Sequence, residues 1–395
     1  MRHFILFDDR RTDLLPLTFT RPVADLRVGI LTIREKWEKY LQASTTCLTE
    51  PYLQEKYPVL IGEDNYFING SVLPDESLVK AVLELREGEY LVKASTILAA
   101  HLMADQALHF VNDISRAEHT VSYDGEIIQL RFTYDIFTLN GKAIEQDFRM
   151  LTKGRTSMPL SSTNGVTGIE NIFVEEGARV EYAIINASTG PVYIGRDAEI
   201  MEGCMIRGPL ALCDHAQLKM GAKIYGPTTI GPNCRVGGEV QNVVIWGNSN
   251  KAHDGFLGNA VLGEWCNIGA DSNNSNLKNN YSEVKLWNYT AEKFLPTGLQ
   301  FCGLIMGDHS KCGINTMFNT GTVVGVSANI FGAGYPRNFI PSFSWGGYQG
   351  LSVYPLPKAL ETAEKVMLRR NQQLTETDKK ILQHIYLITE KYRRF

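Results

Sequence analysis

Ile194-Gly-Arg-Asp-Ala-Glu-Ile200-Met-Glu-Gly-Cys-Met-Ile206-Arg-Gly-Pro-Leu-Ala-Leu212 opens a run in which an aliphatic residue returns every sixth position: Ile194, Ile200, Ile206, Leu212, Leu218, Ile224, Ile230 and Val236. Four residues after each of the first seven stands Ala198, Cys204, Leu210, Ala216, Ala222, Thr228 or Cys234, so a second, mostly small position rides on the same period. On an α-helix a step of six turns about 600° and forms no stripe, whereas an even step keeps one face of a strand. A helix is excluded. Six-residue periodicity of this kind marks a parallel β-helix, in which short strands and tight turns wind a prism around stacked aliphatics.

The repeat extends beyond this run. Val174 and Val180 begin the rhythm, and Asn186-Ala-Ser-Thr-Gly-Pro191 interrupts it. The period is lost after Val236, and Phe256, Leu262 and Ile268 resume it in phase with one another. An Asn-rich stretch, Asp271 to Tyr281, follows, with Trp287 and Tyr289 beyond it. Met306, Cys312, Phe318, Val324 and Ile330 then return at sixes. A loop that leaves a solenoid costs ordering entropy and adds little core, so the excursion is expected to be functional. From Leu356 onward the spacing turns helical over 359–370 and 379–392, with Thr375-Glu-Thr-Asp378 in the form of an N-terminal capping box. These helices are expected to cover the open end of the prism or to dock on a neighbouring subunit.

Upstream, Phe4-Ile-Leu-Phe7 reads as a buried first strand followed at once by Asp8-Asp-Arg-Arg11. Helical spacing over Ile33–Leu41, strand-like Val59–Ile61 and Tyr66–Ile68, and a helix opened by Pro74-Asp75 give a strand–helix alternation. Tyr90–Val92 and Ile127–Leu130 add strands, and 133–149 is helical in part. Such alternation favours an α/β domain whose ligand lies at the carboxyl ends of its strands. A loop over 154–168 separates the halves, giving an α/β domain at 1–155, a β-helix at 166–345 and a helical segment at 355–395.

The 395 residues suit two or three domains, and 39 basic against 43 acidic residues leave a net charge of −4, without the basic field that nucleic acid requires. No stretch approaches membrane-spanning length, and the apolar run at Phe4 is too short for a signal peptide, so a cytoplasmic protein is expected. Of the seven cysteines, Cys204, Cys234, Cys266 and Cys312 fall on repeat positions and read as small buried hydrophobes.

Leu14-Leu-Pro-Leu-Thr18 followed by Arg21-Pro22 resembles the opening signature of sugar-phosphate nucleotidyltransferases. Where that family has a Gly-rich loop for the triphosphate, this chain has Asp8-Asp9-Arg10-Arg11. Two carboxylates there repel a triphosphate unless a cation intervenes, with Arg10, Arg11, Arg21 and Arg27 as compensating charge. Asn69-Gly-Ser-Val-Leu-Pro74 resembles the loop where the family places a magnesium-binding Asp; Ser71 holds the matching position, and it joins the arginines as a nucleotide-site candidate, with the metal ligands left open.

Lys251-Ala-His253-Asp-Gly-Phe256-Leu-Gly258 and Asn267-Ile-Gly-Ala270 resemble the bifunctional N-acetylglucosamine-1-phosphate uridylyltransferase/glucosamine-1-phosphate acetyltransferase family. That resemblance implies a nucleotidyltransferase-like α/β domain followed by a left-handed parallel β-helix. It also implies a homotrimer, acetyl-CoA as co-substrate and Mg²⁺ for nucleotidyl transfer from a nucleoside triphosphate to a sugar phosphate. Attack of an amine on a thioester needs a base working near neutral pH, which suits histidine. His253 is the expected base, with Lys251, Phe256, Asn267 and Asn276 for the sugar phosphate and Ala270 for acetyl-CoA. Flat outer faces near Ile245, Trp246 and Phe318 are expected to carry trimer contacts. Two rival readings stay open: an acetyltransferase whose first domain only holds a sugar nucleotide, and a trimeric scaffold without turnover. His309, inside the regular repeat, reads as a turn residue.

Overall fold

A computed structural model describes residues 2–113 and 119–395. The chain divides into two compact units. The first contains residues 1–14, 20–26 and 31–131; the second contains 15–19, 27–30 and 132–395.

The first unit is built on strands β1 (Arg2–Phe7), β2 (Thr45–Leu48), β3 (Asp64–Asn69), β5 (Glu89–Lys93), β6 (Thr96–Met103) and β7 (His119–Ser122), in the order β2-β1-β3-β6-β5-β7. β2 and β3 both run parallel to β1, on opposite sides of it. The chain therefore reverses its winding direction between β1 and β3, which is where open α/β sheets leave a crevice at their carboxyl ends. Helices α1 (Ile33–Leu41) and α2 (Glu76–Leu83) begin where the sequence places them. Thr32 accepts from the Glu35 amide while Glu35 reaches back, and Asp75 caps Leu78. A short pair, β4 (Val72–Leu73) with β8 (Ile128–Gln129), closes the loop beyond β3. Val59–Ile61 forms no strand; Val59 and Ile61 pack on the core around Ile5, Phe7 and Phe67.

The second unit is a parallel β-solenoid. Val192, Leu210 and Thr228 stack in register on one face, Glu199, Gln217 and Arg235 on the next, and Met205 and Lys223 on the third. A coil is thus eighteen residues, three sixes, and each successive aliphatic of the repeat moves to the next face. Ile194 through Val236 all lie in one buried core. The residue before many of the small positions turns the corner with positive φ: Asp197, His215, Asn233, Trp265, His309 and Ser327. His309 is such a corner residue, stacked on Trp265 one coil away with centroids 6.3 Å apart.

The loss of period after Val236 is a shortening of the coil rather than an exit from it. Arg235 pairs with Asn250 and Val236 with Lys251, fifteen residues on, and the next coil is seventeen. The slip moves the inward residue from Phe256 to Leu257, which is 2% exposed and pairs with Val240. Phe256 stays at the half-exposed edge. Ile245, Trp246 and Phe318 are buried, not displayed on outer faces: Ile245 and Phe318 are core residues, and the Trp246 indole donates to the Arg27 carbonyl at 3.2 Å. From Val261 to Ile305 the coil swells to forty-four residues, enclosing the Asn-rich segment and an antiparallel hairpin, Lys285–Asn288 with Lys293–Pro296.

Helices α3 (Asp135–Thr138) and α4 (Asn140–Thr152) group with the solenoid. Asn140 accepts from Thr229 at 3.0 Å and from Gly29 at 2.8 Å, and Asp147 accepts from Ile30 at 2.7 Å. At the other end, α5 (Leu356–Leu368) and α6 (Glu376–Ile388) fold back. The box at Thr375–Asp378 forms, Tyr386 packs edge-on against Phe343, and Arg370 donates to Asn233 and Asn250. Among the described residues no helix is long and apolar enough to cross a membrane.

Stacked coils share their core, so a void in one is felt by both neighbours. Leu218→Ala is expected to cost about 2–5 kcal/mol, read as a lower guanidinium midpoint for the solenoid transition.

Candidate functional site

The shortened coil creates the site. Register places Lys251 at an inward rung, where every neighbouring coil has an aliphatic or a thiol, and only 1% of it is exposed. An amine in that position needs acceptors, and it turns back to the carbonyls of His253 and Asp254, the latter at 3.2 Å. Lys251 therefore holds the His253 turn from beneath. The neighbouring coil admits this turn because Gly238, at φ +71°, has no side chain: a Cβ there would lie 2.8 Å from the His253 carbonyl oxygen.

His253 itself is exposed. It lines a cleft of about 470 Å³ together with Ala270, Asp254, Asp271, Lys219 and Met220. The expected base and the expected acetyl-CoA contact thus share one cleft. Phe256 and Asn276 form a second group just beyond, both lying over Gly258, where a Cβ would approach the Phe256 ring to 2.4 Å and the Asn276 amide to 2.8 Å. Asn267 is placed differently. It lies on the strand that pairs with Asn250–Lys251, beside Asn250, which accepts from Arg370, and does not line the His253 cleft.

The Asn-rich segment has a structural task that sequence reasoning missed. Asn273 accepts from the Phe256 amide at 2.7 Å; Asn274 accepts from the Gly258 amide at 2.7 Å and donates to its carbonyl at 2.9 Å. Amide side chains here replace backbone as partners for the strand that follows His253. Asp254 and Asp271 were also missed, although their position beside His253 and Ala270 was legible. A second cleft of about 700 Å³ lies at the hairpin, lined by Lys278, Lys285, Arg337, Phe294 and Phe339 among others. Trp287 stacks on Phe339 at 4.2 Å and ties the hairpin down.

In the first unit the loops after β1 and β3 meet at the switch point. Arg11 is buried, pairing with Asp8 at 3.1 Å and donating to the Arg21 carbonyl and the Tyr52 hydroxyl. Burial raises the Asp8 pKa against the lowering pull of Arg11. Arg21 is also buried, and Arg10 is exposed. Arg27 belongs to the second unit, where it donates to the Ile30 carbonyl. Ser71 is fully buried; its hydroxyl donates to Asn69 at 2.7 Å and accepts from Gln129 at 3.0 Å. Among the described residues no group of three or more His, Cys, Asp or Glu forms a metal cage.

Residues 4–156 match the family described as sugar nucleotidyl transferase. A bifunctional protein GlmU from Rippkaea orientalis is 28% identical over 42% of this chain and 28% of its own length. A bifunctional sugar-1-phosphate nucleotidylyltransferase/acetyltransferase from Sulfurisphaera tokodaii is 29% identical over 36% and 35%. At this low identity the chain is similar to GlmU-like bifunctional proteins, and its residues 4–156 to sugar nucleotidyl transferases. It spans about a third or less of the length of these relatives. Among solved structures, a UDP-N-acetylglucosamine acyltransferase from Campylobacter jejuni aligns at 15% identity and a TM-score of 0.29, over 59% of this chain and 97% of that one.

Burial pushes the Lys251 ammonium down to about 8, against the attraction of Asp254. Between pH 8 and 10.5 the unfolded chain holds a proton on Lys251 that the folded chain has released, so this residue makes stability rise with pH through that window. Below pH 8 its desolvation cost is fully present. Lys251→Met is expected to remove the rise, changing the difference in unfolding free energy from wild type by about 3 kcal/mol across the window. Denaturation at pH 7.5 and 10.5 measures it; parallel pH profiles would reject the buried ammonium.

Proposed function

We propose that the chain is a two-site transferase of amino-sugar nucleotide synthesis, in which the solenoid acetylates glucosamine 1-phosphate from acetyl-CoA and the first unit joins the product to UTP. The observation that carries the acetyl half is the cleft that brings His253 together with Ala270, Lys219, Asp254 and Asp271. Its charges suit a substrate with an ammonium at one end and a phosphate at the other: two exposed carboxylates for the first, Lys219 for the second.

In this reading His253 accepts the proton as the sugar amine attacks the thioester carbonyl. The N–C bond forms, the C–S bond breaks, and the imidazolium returns the proton to the departing thiolate of coenzyme A. Backbone N–H groups of the coil stabilise the oxyanion, and Lys251, inside the prism, keeps the His253 turn in place. The cations and aromatics of the second cleft suit the phosphates and base of the coenzyme. In the first unit a phosphate oxygen of the sugar 1-phosphate attacks the α-phosphorus of UTP, the bond to the bridging oxygen breaks, and pyrophosphate leaves; Mg²⁺, when bound, neutralises phosphate charge.

A cytoplasmic homotrimer completes the proposal. The third solenoid face offers Ile184, 59% exposed, and Met205, 53% exposed, with Met220, 72% exposed, at the mouth of the His253 cleft. The burial of Ser71 favours the second reading, a first unit that holds a sugar nucleotide without turning it over.

His253→Ala is expected to lower acetyl-CoA-dependent thiol release by roughly 10²–10⁴-fold, with sedimentation unchanged; undiminished release rejects the base. Asp254→Asn with Asp271→Asn is expected to raise the KM for glucosamine 1-phosphate and spare that for acetyl-CoA. Pyrophosphate release from UTP and N-acetylglucosamine 1-phosphate separates the two-site enzyme from the acetyltransferase with a silent first unit.

A further inference from the structure

We infer that Asp9 is the residue through which the first unit takes a divalent cation, Mg²⁺ or Mn²⁺, together with the phosphates of its nucleotide. This rests on the nucleotide-binding reading of that unit.

Two loops end at the crevice between β1 and β3, and they bring three candidate oxygen donors: Asp8, Asp9 and Ser71. Two are spent within the protein. Asp8 accepts from Arg11 at 3.1 Å, from the Thr49 hydroxyl at 2.6 Å and from the Val23 amide at 2.7 Å, so its charge is matched and both oxygens are engaged. Ser71 is fully buried and its hydroxyl already donates and accepts.

Asp9 is different. It is half-buried, and its Oδ2 accepts from the Asn69 amide at 3.0 Å and from the Gln129 amide at 3.2 Å. Among the described residues no donor reaches Oδ1. The two amides are neutral: they aim the carboxylate without cancelling its charge. They are themselves fixed, Asn69 by the Ile97 carbonyl at 2.9 Å and the Ser71 amide at 3.0 Å, and Gln129 by the Ser71 hydroxyl and by Arg131 at 3.3 Å. A carboxylate with one oxygen oriented by amides and the other open is the arrangement that outer partners give a metal ligand. Mg²⁺ is commonly held by only one or two carboxylates, with substrate phosphates and water completing the octahedron. The same charge that repels a bare triphosphate attracts one that carries a cation.

The charge argument gives the test a sign. With excess Mg²⁺, Asp9→Asn is expected to weaken UTP binding at least tenfold by calorimetry; in EDTA the same variant is expected to bind UTP as well as or better than wild type, because a repulsive charge is gone. In addition, wild-type protein loaded with Fe²⁺ and UTP and treated with ascorbate and peroxide is expected to be cut next to Asp9 and in the 69–71 loop, a readout that needs no variant. Equal loss of UTP affinity in Mg²⁺ and in EDTA, or cleavage elsewhere, overturns the assignment to Asp9 while leaving the nucleotide site standing. Absence of UTP binding by the wild type under both conditions overturns the nucleotide reading itself and this inference with it.

Discussion

The interior of this β-solenoid takes one aliphatic of the six-residue repeat from each strand, three per coil, and each must stack on its counterpart in the coils above and below. Ile194, Leu212 and Ile230 meet this demand on one face, Ile200, Leu218 and Val236 on the next, Ile206 and Ile224 on the third. Because each coil hydrogen-bonds only to its neighbours, the arrangement is rigid along its length and tolerant of excursions at its corners. Everything the second unit displays depends on that stacking, including the His253 turn and the hairpin at Lys285–Pro296.

Lys251 is the place where the demand is broken. A fifteen-residue coil brings an amine to a rung that elsewhere holds an aliphatic or a thiol, and the amine is satisfied by the carbonyls of the turn above it. The same shortening exposes His253 and shifts the following strand so that Leu257, not Phe256, enters the core. One irregularity in coil length thus produces a buried cation, an exposed imidazole and a cleft lined by two carboxylates. The first unit shows a parallel logic: at the switch point most polar groups neutralise one another, and the group left over is the one available for chemistry.

Elements with a strong local signal were legible from residues alone. The six-residue run, the helices at Ile33–Leu41 and Glu76–Leu83, and the box at Thr375–Asp378 follow from periodicity and capping, which are properties of short stretches. Val59–Ile61 was less legible, since an apolar triplet next to Pro58 joins the core without joining a ladder. Ile245, Trp246 and Phe318 lie inside rather than near an outer face, because register between coils, not local hydrophobicity, sets which side of the coil a residue takes.

Residue pattern alone specifies the prism, the α/β unit before it, and the neighbourhood of His253 and Ala270, because six-residue spacing and strand–loop order survive without knowledge of long-range contacts. The folded chain sets that Lys251 points inward, that Asn267 stays out of the His253 cleft, that Asp8 is spent on Arg11 and that Asp9 is not. Those outcomes turn on register between coils and on partners more than forty residues away, such as Thr49, Asn69 and Gln129. A slip of one residue in register reverses a side chain, and no local pattern records it.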